Sequence, residues 1–276
     1  MKIAIQGMPG SYTHTAALHL FPDANIESCL TFDEAFAALE TEIVDYAVLP
    51  LENSSMGRVA DVHHLLPQLT ARIVGEAYLP IQHALLGLPG TELADLAHVY
   101  SMAPAIYQCH YRLRDMNLMR HECADTAQAA AQVATMQDKT CAAIASVEAG
   151  QLHGLVPLIH PLNDQANNVT RFLVWGRHME PPAADEPCKT ALFFQIRSIP
   201  AALFYALSGF AAHGVNLIKL ESYFANQQFH HARFFVEIEG HRDHVNVKEA
   251  LGALEHYTEQ MTILGTYKKN ETPLAE

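Results

Sequence analysis

The densest set of chemistry-bearing side chains is Asn167-Asn168-Val169-Thr170-Arg171-Phe172: two amides, a hydroxyl and a guanidinium at the entrance of an apolar run. Arginine is suited to grip a carboxylate through two parallel hydrogen bonds, and a hydroxyl beside it can pass a proton. The same residues also make a turn followed by one surface arginine, and spacing leaves both readings open. Glu52-Asn53-Ser54-Ser55 follows the apolar stretch Tyr46 to Pro50. A parallel strand presents its site at that end, although a capped turn would use the same residues. Gly7-Met8-Pro9-Gly10-Ser11 lacks both the G-x-G-x-x-G spacing of a dinucleotide fingerprint and the Gly-Lys-Ser/Thr end of a P-loop. It reads as a strand-to-helix turn whose open amides can receive a carboxylate. The seventeen histidines, His63-His64 and His230-His231 among them, never take up zinc-ligand spacing, so no metal is expected. No G-x-S-x-G elbow supports serine hydrolysis.

The elements that must position these groups follow from periodicity. Lys2 to Gln6 reads as a strand, Thr13 to Phe21 as a helix and Ile26 to Leu30 as a strand. Thr31 is placed to cap a helix carrying Ala35, Phe36 and Leu39, with Glu34 completing a capping box. A second unit is expected from about Gly75. It comprises a strand-like run Glu76 to Leu86, a strand Ala97 to Tyr100, a helix Thr126 to Met136, a strand Cys141 to Ala145 and a helix Val147 to Leu152. Thr170 to Trp175 is a late strand, able to return to the first lobe and leave a cleft between the two. Glu180 to Pro187 is the clearest linker. Beyond it the order is strand Thr190 to Arg197, a helix with Pro200 in its first turn burying Leu203, Leu207 and Phe210, and strand Leu217 to Phe224. A turn Ala225 to Gln228, strand Phe229 to Glu239, helix Val245 to Tyr257, strand Met261 to Tyr267 and a frayed polar tail complete it. That βαββαβ order is ferredoxin-like.

Composition narrows the function classes. Half of the 276 residues are apolar and 17% are charged, a globular profile with no stretch suited to a membrane span. Residues 1–180 carry 9 Lys plus Arg against 19 Asp plus Glu, giving −10, and the remainder 8 against 11, giving −3. The resulting field repels nucleic acid, so an anionic substrate must be gripped locally. The five cysteines are odd in number and widely spaced, and the first residues read as a strand rather than a leader. Reduced thiols in the cytoplasm are the expectation.

Taken together, several segments resemble prephenate dehydratase. They are Gly7-x-x-Gly10-Ser11-Tyr12-Thr13, Pro50-Leu51-Glu52-Asn53-Ser54 with Gly57 and Val59, and Ile81-Gln82-His83-x-Leu85-Leu86. Tyr100-Ser101 with Gln108-Cys109, Thr126-Ala127, Ala142-Ala143-Ile144-Ala145 and Asn168-x-Thr170-Arg171-Phe172 follow in family order. The resemblance implies an α/β fold: a two-lobed, periplasmic-binding-protein-like catalytic domain with a central cleft, plus a C-terminal ferredoxin-like βαββαβ (ACT) domain. The implied boundaries are 1–180 for the catalytic domain, with lobes of about 1–75 plus 170–180 and 76–169. A linker at 181–188 and a regulatory domain at 189–268 complete the chain. Departures from the family pattern stand at Ser101-Met102-Ala103-Pro104, Asp125-Thr126-Ala127 (usually Ser-Thr-Ala), Pro200-Ala201-Ala202-Leu203 (usually Pro-Gly-Ala-Leu) and Glu221-Ser222-Tyr223-Phe224 (usually Glu-Ser-Arg-Pro).

The implied reaction is coupled decarboxylation and dehydration of prephenate to phenylpyruvate in phenylalanine biosynthesis, without a cofactor because aromatisation drives it. The resemblance gives Thr170 as the catalytic hydroxyl and Arg171 as the carboxylate clamp, with Glu52, Asn53 and Ser54 in the catalytic set. Thr13, Ser101, Gln108, Thr126, Asn168 and Phe172 are implied substrate contacts. An L-phenylalanine effector site would involve Ala201, Ala202, Leu203, Asn216, Leu217, Glu221 and Ser222. A homodimer or homotetramer through the C-terminal sheet is implied. Arogenate as substrate, and a solute-binding module without catalysis, remain open alternatives.

Overall fold

The computed structural model describes residues 1–178, 180–224 and 232–270. Along the chain run β1 (Lys2–Gln6), α1 (Tyr12–Leu20), β2 (Asn25–Cys29), α2 (Phe32–Glu40), β3 (Tyr46–Asn53), β4 (Gly57–Arg58), α3 (Ala60–Leu65) and β5 (Arg72–Pro80). Next come β6 (Ala84–Gly87), β7 (His98–Ser101), α4 (Ala103–Gln108), α5 (His110–Arg114), β8 (Met119–Glu122), α6 (Thr126–Met136), β9 (Cys141–Ala145), α7 (Val147–His153), β10 (Val156–Ile159) and β11 (Val169–Gly176). The C-terminal elements are β12 (Cys188–Ile196), α8 (Ala202–Ala212), β13 (Leu217–Phe224), β14 (Ala232–Glu239), α9 (Val245–Glu255) and β15 (Thr258–Lys268). Contacts divide the chain into one unit of Met1–His63 with Ala77–Phe172 and another of His64–Glu76 with Leu173–Glu271. β5 and β11 therefore each continue from one unit into the other. Among the described residues no helix is long and apolar enough to cross a membrane.

The first sheet has the order β2-β1-β3-β11-β5, with β4 folded back onto β3. β1 is parallel to both β2 and β3, and Ile3, Ile5, Val48 and Leu49 are sealed from solvent. The second sheet runs β10-β6-β9-β7-β8. Its centre, β9, is buried along its whole length, as its uninterrupted apolar sequence requires. Alanines at 142, 143 and 145 let helices approach both faces: α6 packs Ala130 and Val133 on one side, and α4 packs Ala105 and Ile106 on the other. In the third sheet, β13-β14-β12-β15, neighbouring strands pair antiparallel. α8 and α9 contribute Ala206, Phe210, Val247 and Leu251 to one core with Leu192, Phe194 and Val236. This is the ferredoxin-like order the sequence predicts.

Local chemistry explains several boundaries. Thr31 Oγ1 accepts the Glu34 amide at 3.1 Å, while the Glu34 carboxylate accepts from Leu30 rather than from Thr31 itself. The run Glu76 to Leu86 is not one strand. It breaks at Ile81-Gln82-His83 into β5 and β6, which lie in different sheets. There the Ile81 amide donates to the Asn168 carbonyl, and the His83 amide donates to Asn163 Oδ1. Distant loop partners thus replace the ladder.

α8 starts two residues after Pro200, and Ala201 before it is left-handed, at φ 59°. Leu203 and Leu207 are half-buried, the fully covered stripe being Ala202, Ala206, Gly209 and Phe210. The short elements α3, α4, α5, β8 and β10 carry too few residues to show a period. The expected turn Ala225 to Gln228, residues 229–231 of the strand expected after it, and the tail beyond 270 lie outside the described residues.

One contact ties the first turn to the second sheet's lobe. Gly10, at φ +87°, approaches so closely that an added Cβ would stand 3.0 Å from Ala149 Cα, and its carbonyl accepts from Ser146 Oγ at 3.0 Å. Gly10→Ala adds both backbone strain and a clash, and is expected to cost about 2 kcal/mol or more. Chemical denaturation checks this; an unchanged midpoint would refute the packing argument.

Candidate active site

A cavity of about 460 Å³ lies within the unit formed by Met1–His63 and Ala77–Phe172. Its walls come from the β1–α1 turn (Gly7, Ser11, Thr13), the β3 end (Asn53), the β5–β6 break (Ile81, His83), the start of α6 (Asp125, Thr126) and β11 (Thr170, Phe172). Strand ends and helix starts meet here because the two sheets expose their carboxyl ends and loops to one another. The N-termini of α1 and α6 bring amides that have no partner inside the helix.

Asn53 organises the polar side. Its Oδ1 accepts the backbone amides of Ser55 at 2.9 Å and Met56 at 3.0 Å, which assigns the oxygen and nitrogen of the amide without ambiguity. Its Nδ2 therefore donates, to Asn168 Oδ1 at 2.7 Å and to Thr170 Oγ1 at 2.9 Å. The Thr170 oxygen is an acceptor in that bond. Its own proton has no acceptor among the described residues and is left for whatever occupies the cavity.

The network continues away from Asn53. Gln108 Nε2 donates to Asn53 Oδ1 at 3.3 Å, so Gln108 Oε1 faces His83 Nε2 at 2.9 Å and takes a proton from it. The Tyr12 hydroxyl donates to the Gln82 carbonyl at 2.8 Å and also lies 3.0 Å from His83 Nδ1, so its one proton is shared between the two acceptors. The tautomer is assigned by these bonds. Burial holds His83 neutral by lowering its pKa to about 4, against a smaller opposing effect of Gln108. Burial, with Glu148 and Cys109 adding, raises Tyr12 well above the usual phenol range.

The remaining sequence-predicted residues are distributed unevenly. Thr13, Gln108, Thr126 and Phe172 line the cavity with Asn53 and Thr170. Asn168 stands behind Asn53, with its Nδ2 buried and unpartnered among the described residues. Ser54 joins β3 to the 167–169 segment, accepting from the Val169 amide and donating to the Asn167 carbonyl. Ser101 is fully buried and its hydroxyl donates to the Ile144 carbonyl at 2.6 Å, so it braces β7 rather than lining the cavity.

Arg171 also lies off the cavity wall. Its guanidinium, 5% exposed, is paired with Glu52 Oε1 at 2.9 Å and lies 5.9 Å from the Tyr78 ring centroid. The cation among the lining residues is instead Arg58, from the strand folded back on β3. Arg58, Tyr12, His83 and Asp125 are cavity residues that sequence reasoning did not select. Tyr12 and His83 sat inside resembling segments, whereas Arg58 carried no local signal.

In the C-terminal unit, Ala202 is buried, Leu203 and Leu217 pack at the edge of the helix–sheet core, and Ala201 and Ser222 are exposed. Asn216 donates to Glu239 at 2.8 Å, and Glu221 accepts from Lys219 at 3.4 Å. Ala201 occupies a backbone conformation that favours glycine, which is the physical reason for the usual Pro-Gly pattern there.

Neutral, buried His83 makes stability pH-dependent. Its folded pKa lies below the unfolded value, so the unfolded chain binds the extra proton between about pH 6.5 and 4 and stability falls as pH is lowered through that window. The full effect is about 3 kcal/mol. Thermal unfolding of wild type and His83→Gln across this range checks it: the variant should lose much of the slope, and parallel profiles would refute it.

The family model described as prephenate dehydratase matches residues 3–180. The chain is 36% identical over 281 residues to arogenate dehydratase/prephenate dehydratase 1, chloroplastic, of Arabidopsis thaliana, covering 97% of this chain and 72% of that protein. It is 36% identical over 268 residues to a bifunctional N-acyl-homoserine lactone acylase/prephenate dehydratase of Komagataeibacter europaeus, covering 96% and 95%. A prephenate dehydratase from Arthrobacter aurescens, in complex with L-Phe, has the same fold at a TM-score of 0.90 and 26% identity, over 100% of this chain and 92% of that one. The segments that surround the cavity and the matched span coincide, and the chain belongs to the prephenate dehydratase family.

Proposed function

We propose that this chain is a lyase converting prephenate to phenylpyruvate, and that the proton left free on Thr170 carries the reaction. Loss of the ring carboxylate as CO2 releases an electron pair into the cyclohexadiene, and the opposite C–O bond breaks. The departing hydroxide must leave as water. Asn53 donates to the Thr170 oxygen and so turns the Thr170 O–H outward as a donor. That bond also stabilises the oxygen as its proton moves. A threonine is too weak an acid to ionise first, so transfer is concerted with C–O cleavage. Aromatisation supplies the driving force, leaving the protein to orient and to deliver one proton.

Arg58 is the side chain we assign to a substrate carboxylate, with the amides at the starts of α1 and α6 available to the same charge. Arg171 acts by holding Glu52 and the end of β3 in place. The catalytic domain is taken as residues 1–180, with lobes as expected from the sequence, 181–188 as a linker and 189–268 as the regulatory domain. Free cysteines throughout support a cytoplasmic setting.

Thr170→Ala should lower kcat by about 10²–10³ with little change in KM, the loss expected for one well-placed donor. Arg58→Ala should raise KM about tenfold or more and leave most of kcat. Phenylpyruvate formation, followed by its absorbance in alkali, measures both. Near-normal turnover by the Thr170 variant would remove the mechanism, and no turnover by the wild type would favour a binding module.

We further propose a homodimer, or a dimer of dimers, joined through the C-terminal sheet, with a weakened response to L-phenylalanine. β13 is a sheet edge and leaves Ile218 and Leu220 exposed, a surface that pairing would cover. Ala201 sits left-handed where glycine is usual, and its methyl narrows the approach to the backbone. Light scattering should give a dimer or tetramer mass at micromolar concentration, and phenylalanine should inhibit only at high concentration. A monomer, or steep inhibition by micromolar phenylalanine, would overturn the corresponding half.

A further inference from the structure

We infer that His83 is a positioning residue for the reaction: its imidazole, held between Tyr12 and Gln108, fixes the Gln108 amide so that an N–H, and not the carbonyl oxygen, is offered to the substrate. The inference rests on the dehydratase reading above and concerns how the same site is held in register.

His83 is fixed more tightly than a residue in a strand break needs to be. It is 3% exposed. Its backbone amide donates to Asn163 Oδ1 at 2.6 Å, and its carbonyl accepts the Leu162 amide at 2.7 Å. The Tyr12 ring packs edge-on against the imidazole, with centroids 5.4 Å apart and planes at 74°. The Tyr12 hydroxyl stands 3.0 Å from Nδ1, and Gln108 Oε1 stands 2.9 Å from Nε2. Main chain and both ring nitrogens are therefore held.

Gln108 closes α4, and its backbone carbonyl accepts the Asp164 amide at 2.9 Å. What remains adjustable is the side-chain amide, which can turn half a revolution and exchange oxygen for nitrogen with almost no change of shape. Two neighbours forbid that turn. On one side is Asn53 Oδ1, 3.3 Å away and an acceptor because the Ser55 and Met56 amides already bind it. On the other is His83 Nε2, a donor as long as Nδ1 carries no proton. Turned over, Gln108 would set oxygen against oxygen at Asn53 and N–H against N–H at His83. The 3.3 Å bond to Asn53 is long, so without His83 the amide is free to swing away from it. Burial keeps the imidazole neutral, which preserves Nδ1 as an acceptor for the shared Tyr12 proton.

Gln108 Nε2 carries two hydrogens. One goes to Asn53, and the other has no acceptor among the described residues. Gln108 lines the cavity with Asn53 and Thr170, so this second N–H is available to a substrate oxygen. His83 itself has no proton to give to the reaction, since its Nε2–H is committed to Gln108. Thr170 remains the donor to the departing hydroxide, and the balance of the reaction is unaltered.

The test measures kcat and kcat/KM of the full chain with prephenate for wild type, His83→Gln, His83→Asn, Gln108→Ala and the His83→Asn/Gln108→Ala double variant. A glutamine can place an amide N–H where Nε2 stood, whereas asparagine is too short to reach Gln108. The expected result is a loss of about tenfold or more in kcat/KM for His83→Asn, and rescue to within about threefold of wild type by His83→Gln. With Gln108 already alanine, His83→Asn should cost less than about twofold, because the two side chains act as one unit. Equal losses in the asparagine and glutamine variants, or an undiminished loss in the double variant, would make His83 a packing residue and overturn the inference. NMR of wild type labelled with 15N-histidine, its His83 signals identified by their loss in His83→Gln, tests it without the asparagine variant having to fold. The proton should reside on Nε2, and a proton on Nδ1 would overturn the inference while leaving the dehydratase reading intact. Absence of prephenate turnover by the wild type would remove both.

Discussion

The amide of Asn53 is the constraint on which the site depends. Two backbone amides, those of Ser55 and Met56, hold its oxygen and thereby dictate where its nitrogen points. Every later assignment follows from that orientation. Thr170 becomes an acceptor toward Asn53 and a donor toward the cavity, Gln108 is turned with its oxygen to His83, and His83 must carry its proton on Nε2. A hydroxyl that rotated freely would spend much of its time pointing elsewhere. In the mechanism proposed above, fixing it before substrate arrives removes that reorganisation from the reaction. The backbone turn after β3 therefore reaches the Thr170 hydroxyl through one side chain.

Electrostatics explains how a chain of net charge −13 handles an anionic substrate. Long-range attraction is absent, so on the reading proposed above recognition relies on local donors: one guanidinium at the wall and the open ends of two helices. Arg171, which by residue type looked like the obvious clamp, is drawn to Glu52 instead. A nearly enclosed arginine needs a carboxylate partner, and the neighbouring strand end supplies one. Its charge is then spent inside the protein.

The C-terminal unit carries its own buried ion pair. Lys189 on β12 meets Glu76 at 2.8 Å, with side-chain exposures of 7% and 0%, and the Asn270 amide adds a hydrogen bond to the same carboxylate at 3.0 Å. Such a pair adds little net stability, because desolvation offsets attraction. Its effect is selective: a mispaired β5 would leave two charges buried without partners.

Long periodic elements were legible from the residues alone, because burial on one or both faces writes itself into apolar spacing; β9, α6 and the βαββαβ order are instances. The capped start of α2 and the polar sets after β3 and at β11 were legible for the same local reason. The division of Glu76 to Leu86 was not, since it depends on hydrogen bonds to residues some eighty positions away. Nor was the placement of Arg58 and Thr170 on the cavity wall, with Arg171 and Ser101 bonded away from it. Residue type states what a side chain can do. Direction and partner are decided by which strand ends the fold brings together, and a hydroxyl with a carbonyl 2.6 Å away has no proton to offer. The sequence by itself determined the set of available groups and the elements that carry them; only the tertiary structure decided which groups remain free to react.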